Sequence, residues 1–331
     1  VGGGLIATRE IPAQLVQGES VVPIGSTVLL CPEPGAGAEL GVRVTAAVVP
    51  GQVGQDGPSG SAAIETLLGK KSESAEIAGP AGQAEIAAFG RTLPPISVRG
   101  VGSLAPGLIA DQWSRDPRGQ GRGMASTACG PAATEFWFVG GGAIAGRQTR
   151  VVLVNPDENS AVVDIIIHGP DGIIEAPAGR GLVVKGERRL VVRLDALVPG
   201  TKATAVHVVV RTGRIGATVD DDQMSGLQSI GTDWIPSAAM PATTVYVPGV
   251  LPGNGPRVLS VVAPGDDDAN VKVRILSAAG AFAPADRDSI RVAADTVASI
   301  DMSLVTEQQS VTLELTSDTP IVAGVRQFIG G

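Results

Sequence analysis

The sequence predicts an all-β protein of three tandem antiparallel β-sandwich units of immunoglobulin-like type, the first of them divergent. Three observations predict it. Apolar residues come in Val- and Ile-rich runs of about four to eight residues broken by Gly and Pro, the rhythm of strands and turns rather than of helices. Within the runs apolar residues alternate, as at Ala161, Val163, Ile165 and Ile167, so one strand face is buried. The stretch 134–168, TEFWFVGGGAIAGRQTRVVLVNPDENSAVVDIIIH, then returns in degraded form further along.

The repeat is explicit. Pro156 falls on Pro264, Ala161 on Ala269, Val163 on Val271, Ile165 on Val273 and Ile167 on Ile275, at a constant separation of 108. Leu190, Val192 and Leu194 are matched by Ile300, Met302 and Leu304, and Ile215, Ala217 and Val219 by Ile321, Ala323 and Val325. The first copy joins more weakly, through VRGVGSLAPGL against VRTGRIGATV and through Cys129-Gly-Pro-Ala against Ala239-Met-Pro-Ala. At 331 residues the chain is too long for one ordinary core, so several units are expected.

Taken in order, residues 1–25 read as a lead-in with one edge strand, and unit 1 occupies 26–133. It opens on the strand Val28–Cys31, and SAAIETLL within it suits a strand or a helical turn equally. Unit 2, 134–242, carries strands at 135–139, 150–154, 161–168, 181–185, 189–195, 204–211 and 215–219, seven in a short span, as in an antiparallel sandwich. Unit 3 is 243–331. Residues 110–133 and 220–242 read as linkers, holding Trp113 and Trp234, which are expected to pack into interdomain seams or to offer a binding platform.

Composition excludes several functions. The net charge is -8, and the sections 1–133, 134–243 and 244–331 carry -2, -2 and -4, so no basic domain for nucleic acid is hidden in the average. No run reaches the roughly 18 apolar residues of a membrane span. The chain starts at Val1, without Met or a signal-like segment, and so reads as trimmed. Cys31 and Cys129 fit either one disulfide or two buried thiols; bonded, they close a long loop worth up to about 4–5 kcal/mol. Neither has a second ligand at zinc spacing.

Candidate chemistry is sparse. His168 ends a strand at a turn, and His207 alternates with Val206 and Val208 and is expected to face outward; no nucleophile-elbow motif accompanies them. The glycine runs at 119–123 and 140–146 resemble phosphate loops but lead into a strand, where a phosphate site needs a helix. Acid clusters at Asp157-Glu158, Asp220–Asp222 and Asp266–Asp268 have the oxygens calcium wants, although polar turns carry the same residues. Trp137 and Tyr246 occupy equivalent strand positions, suited to stacking on sugar rings or to packing against a neighbouring unit.

The cysteines of TVLLCPEPG and STACGPAATEFWFVGGG, with the NPDENSAVVDI turn, resemble a family of actinobacterial extracytoplasmic proteins known only as a domain of unknown function. The resemblance implies a secreted or membrane-anchored protein, with an N-terminal signal or anchor, encoded near cell-envelope glycosyltransferases. The units themselves resemble immunoglobulin-like or fibronectin-like sandwiches, which implies no activity. With a Cys31–Cys129 disulfide, the chain is expected to be a non-enzymatic envelope scaffold without catalytic residues, cofactor or metal. The alternative is a module that binds an envelope glycan through Trp137 or Tyr246, and an enzyme acting on envelope glycans is the third reading. Partners are then an envelope protein or glycan, no nucleic acid, and the membrane only through the anchor.

Overall fold

In the computed structural model, which describes residues 24–32, 40–49, 59–67, 73–90, 94–118, 121–202, 204–306 and 309–328, the ladders between strands run antiparallel. The expected lead-in strand and most of the Gly51–Gly60 stretch lie outside the described residues. The first third holds β1 (Ser26–Cys31), β2 (Gly41–Val48), β3 (Ser61–Thr66), β4 (Ser74–Glu76), β5 (Gln83–Phe89), β6 (Ile96–Val101), β7 (Leu108–Asp116), β8 (Gly123–Ala128) and β9 (Gly130–Pro131). Within SAAIETLL, Ser61–Thr66 is thus a strand.

The middle third holds β10 (Glu135–Val139), β11 (Arg147–Val154), β12 (Ala161–Gly169), β13 (Gly172–Ile174), β14 (Leu182–Val184), β15 (Arg189–Arg193), the helical turn α1 (Leu194–Leu197), β16 (Ala205–Thr212), β17 (Gly216–Ser225) and β18 (Gln228–Ile235). The last third holds β19 (Ala242–Val250), β20 (Arg257–Val262), β21 (Ala269–Ser277), β22 (Gly280–Phe282), β23 (Ser289–Val292), β24 (Val297–Asp301) and β25 (Val311–Gln327).

These strands make five sheets among the described residues. Sheet I is β4-β3-β6-β1-β9, sheet II β5-β2-β7-β8, sheet III β10-β16-β12-β13 with β14 on β12, and sheet IV β15-β11-β17-β18. Sheet V is β22-β21-β25-β20-β24, with β19 on β25 and β23 on β21. The sheets are arranged as a four-bladed, propeller-like ring plus a curled half-barrel. The fold is therefore all-β and antiparallel, as expected, but it is not clearly a row of tandem immunoglobulin-like sandwiches. Alternation reports which face of a strand is buried and is silent on how whole sheets lean on one another.

Each third has its own aliphatic core. In the first, Val42, Val44 and Ile86 of sheet II meet Leu29, Ile64 and Val98 of sheet I; in the second, Val151 and Val219 of sheet IV meet Phe138, Val163, Ile165 and Val208 of sheet III. The third packs Leu259, Val273, Ile275, Met302 and Leu315 inside the curl. Ala161, Val163, Ile165 and Ile167 all share the buried face assigned to them.

The two stretches read as linkers are instead hairpins. β7 runs on into β8, and β17 into β18, each adding a strand to its sheet, and β8 lies beside β18, where Ser229 Oγ donates to the Arg122 carbonyl (3.3 Å). Gly and Ser within them mark hairpin turns and bulges rather than free connections. Cys31 and Cys129 form a disulfide, which ties β1 to the segment leaving β8 and points to an oxidising, extracytoplasmic environment. No helix among the described residues is long and apolar enough to cross a membrane.

Candidate functional site

The junction between the middle and last thirds gathers most of the residues singled out from sequence. Trp137, on β10, is 2% exposed and sits with Ala205 against Val262, Val297 and Val322 of sheet V. Its ring stacks on His207 (centroids 3.9 Å apart, planes at 11°), its register partner on β16, and lies 5.3 Å from His168. Glu135 Oε1 accepts from Trp137 Nε1 (3.3 Å) and lies 2.9 Å from His207 Nε2. In this position Trp137 has no free face for a sugar.

His207 does leave the core face of β16, as alternation requires, but the outward side is this seam, so the imidazole is half-buried and not on open surface. His168 is 2% exposed, with Nδ1 3.1 Å from the Asp295 carbonyl and 3.6 Å from its carboxylate, and with Nε2 buried without a partner. Burial holds both imidazoles below their ordinary value, while Asp295 and Glu135 respectively pull the other way.

The acid run Asp220–Asp222 lies within β17, where alternation sends its members to opposite sides. Asp220 and Asp222 share Arg150, whose Nη2 donates to Asp220 Oδ2 and to Asp222 Oδ2, each at 2.7 Å; Asp222 faces Gly121 of the β7–β8 connection. Burial pushes Asp220 up to about 7 against the pull of Arg150. Asp221 turns the other way and accepts from Arg147 Nε (2.9 Å) and Nη2 (2.8 Å) and from Thr149 Oγ1 (2.6 Å), with Arg326 Nη2 of β25 at 3.1 Å. One strand thus ties the middle third to both neighbours. The other acid clusters are ion-paired at turns, Asp157 with Arg214 and Asp268 with Arg291.

Above Asp221 opens a cleft of about 700 Å³ between β18 on one side and β19 and β25 on the other. Its mouth carries Ile230, Tyr246 and Phe328, all exposed, and Arg326 lies over the Phe328 ring, 4.7 Å from the centroid. The Tyr246 hydroxyl donates to Glu314 (3.1 Å), which accepts from Arg274 (2.8 Å), so the ring is held in one orientation. Trp234, 8% exposed, lines the inner wall. Trp113 is elsewhere, on the outer face of sheet II. The 140–146 glycine loop packs down, with Gly142 N donating to Thr149 Oγ1 and Ala143 N to the Thr201 carbonyl, and leads into β11.

Sequence reasoning thus found Trp137, Tyr246 and Trp234 but not Arg147, Arg326 or Phe328. For Arg326 the sequence does hold a signal: it follows Val325, the counterpart of Val219, and so stands where the middle copy has Asp220. Comparison with known proteins gives the chain a family. It belongs to DUF5719, a family of unknown function, whose model matches residues 78–330. Neither a curated protein nor a solved structure matches it.

Proposed function

We propose that the chain is a non-enzymatic, extracytoplasmic interaction protein of the cell envelope, a scaffold of repeated β-units that takes its partner in the cleft between β18 and β25. The observation that carries this reading is the cleft: exposed Ile230, Tyr246 and Phe328 ring a floor whose buried carboxylate, Asp221, is already held by Arg147, Thr149 and Arg326. A general acid or base must be poised and reachable. Here both imidazoles are spent on the seam, while the apolar mouth suits recognition. Facing sheets that share a core in the first and middle thirds support the finer description of those regions as sandwich-like units. Attachment through an N-terminal membrane anchor belongs to the same proposal.

A photo-crosslinking residue placed at Ile230 or at Tyr246 in cells should trap an envelope protein, and the same residue at exposed Ile173, outside the cleft, should not. Absence of any adduct from the cleft positions overturns the reading. A second reading has its own support: the pinned Tyr246 ring, exposed at the mouth, is a preorganised stacking surface for a sugar. It predicts that Tyr246→Ala abolishes retention on envelope glycans, and equal retention by the variant would remove it.

A further inference from the structure

We propose that the open face of sheet II is a platform for a neutral polysaccharide, with Trp113 and Phe89 as its stacking rings. This goes beyond the cleft reading and does not depend on it. Pairing registers bring residues from all four strands into rows on that face. One row runs Phe89, Gly41, Arg115, Met124, and the next Ala87, Arg43, Trp113, Ser126; below them lie Glu85, Thr45, Asp111 and Ala128. Phe89 is 80% exposed and Met124 62%, while Trp113 is half-buried in the centre.

Gly41 explains how Phe89 lies. A Cβ at Gly41 would sit 2.7 Å from Phe89 Cε1, so the ring lies close over the bare backbone of β2 while most of it faces solvent. Its strand and that of Trp113 are two spacings apart, about 9.5 Å. One pyranose does not span that gap, so the occupant is a chain of sugars.

The chemistry of the face selects the occupant. Arg43 and Arg115 are balanced by Glu85 and Asp111, with Arg43 Nη1 donating to Glu85 Oε2 (3.3 Å), so the face is neutral and offers no pull to an anionic polymer. Rings alternate with guanidinium, hydroxyl and carboxylate groups, matching the apolar faces and hydroxyl edges of sugars. A protein-docking patch instead has an apolar centre and a polar rim. The molecule supplies that contrast itself. Sheet IV has the same strand order, and there the equivalent face carries Val152 and Val154, packed under Leu30 and Leu67 of the first third. The corresponding strand of sheet II bears Arg43, Thr45 and Ala47.

The test is affinity electrophoresis of the full chain in native gels containing a soluble glucan, mannan or galactan, with polygalacturonate as the acidic polymer. At least one neutral polysaccharide should retard migration and polygalacturonate should not. Phe89→Ala and Trp113→Ala should each weaken binding about tenfold or more, and Ile173→Ala, at an exposed position of sheet III, should leave it unchanged. Phe89 is exposed enough that its variant keeps the parental melting temperature, which separates lost binding from lost folding. The proposal is overturned if no neutral polysaccharide retards the protein, or if retardation survives when Phe89→Ala and Trp113→Ala are combined. It is equally overturned if retardation is lost in Tyr246→Ala instead, which places the glycan in the cleft, or if Phe89→Ala changes the oligomeric state, which makes this face a contact between copies.

Discussion

The middle and last thirds share a strand order, apart from β18, which has no counterpart among the described residues of the last third, and they differ at one break. In the middle third the chain leaves sheet III after Thr212, turns at Gly213 with φ +82°, and enters sheet IV at Gly216, so β16 and β17 belong to separate sheets. In the last third β25 passes through the equivalent point without stopping, pairing first with β19 and β21 and then with β20. Pro320 lies where the ladders change, between Ser317, the last partner of β21, and Val322, the first of β20, so its missing N–H costs no ladder bond. Asp318 accepts from Asn270 N (2.8 Å) and Nδ2 (2.7 Å) beside it. An uninterrupted strand makes one curled sheet; a left-handed glycine makes two sheets facing each other.

The second difference is electrostatic. β17 carries Asp220–Asp222 and buries all three, whereas β25 carries Arg326 into the same junction. The largest expected effect follows from that asymmetry. Asp221→Ala strands Arg147, itself 9% exposed, and deprives Arg326 of its carboxylate, which should cost about 3–5 kcal/mol. Asp318→Ala, at an exposed and solvent-screened turn, should cost much less. Urea midpoints of the two variants measure the contrast, and equal losses would show that the buried cluster contributes no more than the exposed turn.

How much of this was legible beforehand follows from period. The alternation at 161–167 and its copy at 269–275 announced buried strand faces, because side-chain direction in a strand has a period of two and needs no tertiary information. The disulfide was one of two readings open to two cysteines. The hairpins at 110–133 and 220–242 were missed because Gly, Ser and acidic residues mark loops by composition, and only the pairing of β17 with β11 explains why three consecutive aspartates sit inside a strand. Trp137 was marked, but its partners come from β12 and β16 and from sheet V, far apart in sequence, and the cleft depends on β18, β19 and β25 converging. Contacts of that kind leave no local pattern.

A reciprocal exchange sharpens the first comparison. Gly213→Thr forces a β-branched residue into the left-handed region and brings its Cβ to 3.2 Å from that of Ala161, for about 1–2 kcal/mol from the backbone alone. Thr319→Gly, the equivalent position in β25, should cost less, about 0.5–1 kcal/mol, since glycine weakens a strand without straining it. Thermal melts rank the two. The opposite ranking would mean that the break at Gly213 is incidental to keeping sheets III and IV apart.

The effect that separates the two junctions is with pH. His168 and His207 have folded pKa values below 6.5, so between those values and 6.5 the unfolded chain binds more protons than the folded one. Their contribution is complete above pH 6.5 and is lost as the pH falls toward the folded values, loosening the Trp137 seam. Asp220 behaves oppositely. Raised from 3.8 to about 7, it binds more protons folded than unfolded across that interval, so its contribution is complete below 3.8 and is lost as the pH rises through 7. Acid should therefore weaken the junction with sheet V while it strengthens the one around Arg150. Hydrogen exchange compared at pH 5.5 and 7.5, after correction for intrinsic rates, should show β10 and β12 opening more readily at the lower pH. It should show β11 and β17 opening less readily there, a response that Asp220→Asn removes. If all four strands shift in the same direction, the two junctions are not electrostatically independent, and the assignment of one to histidine and the other to aspartate fails.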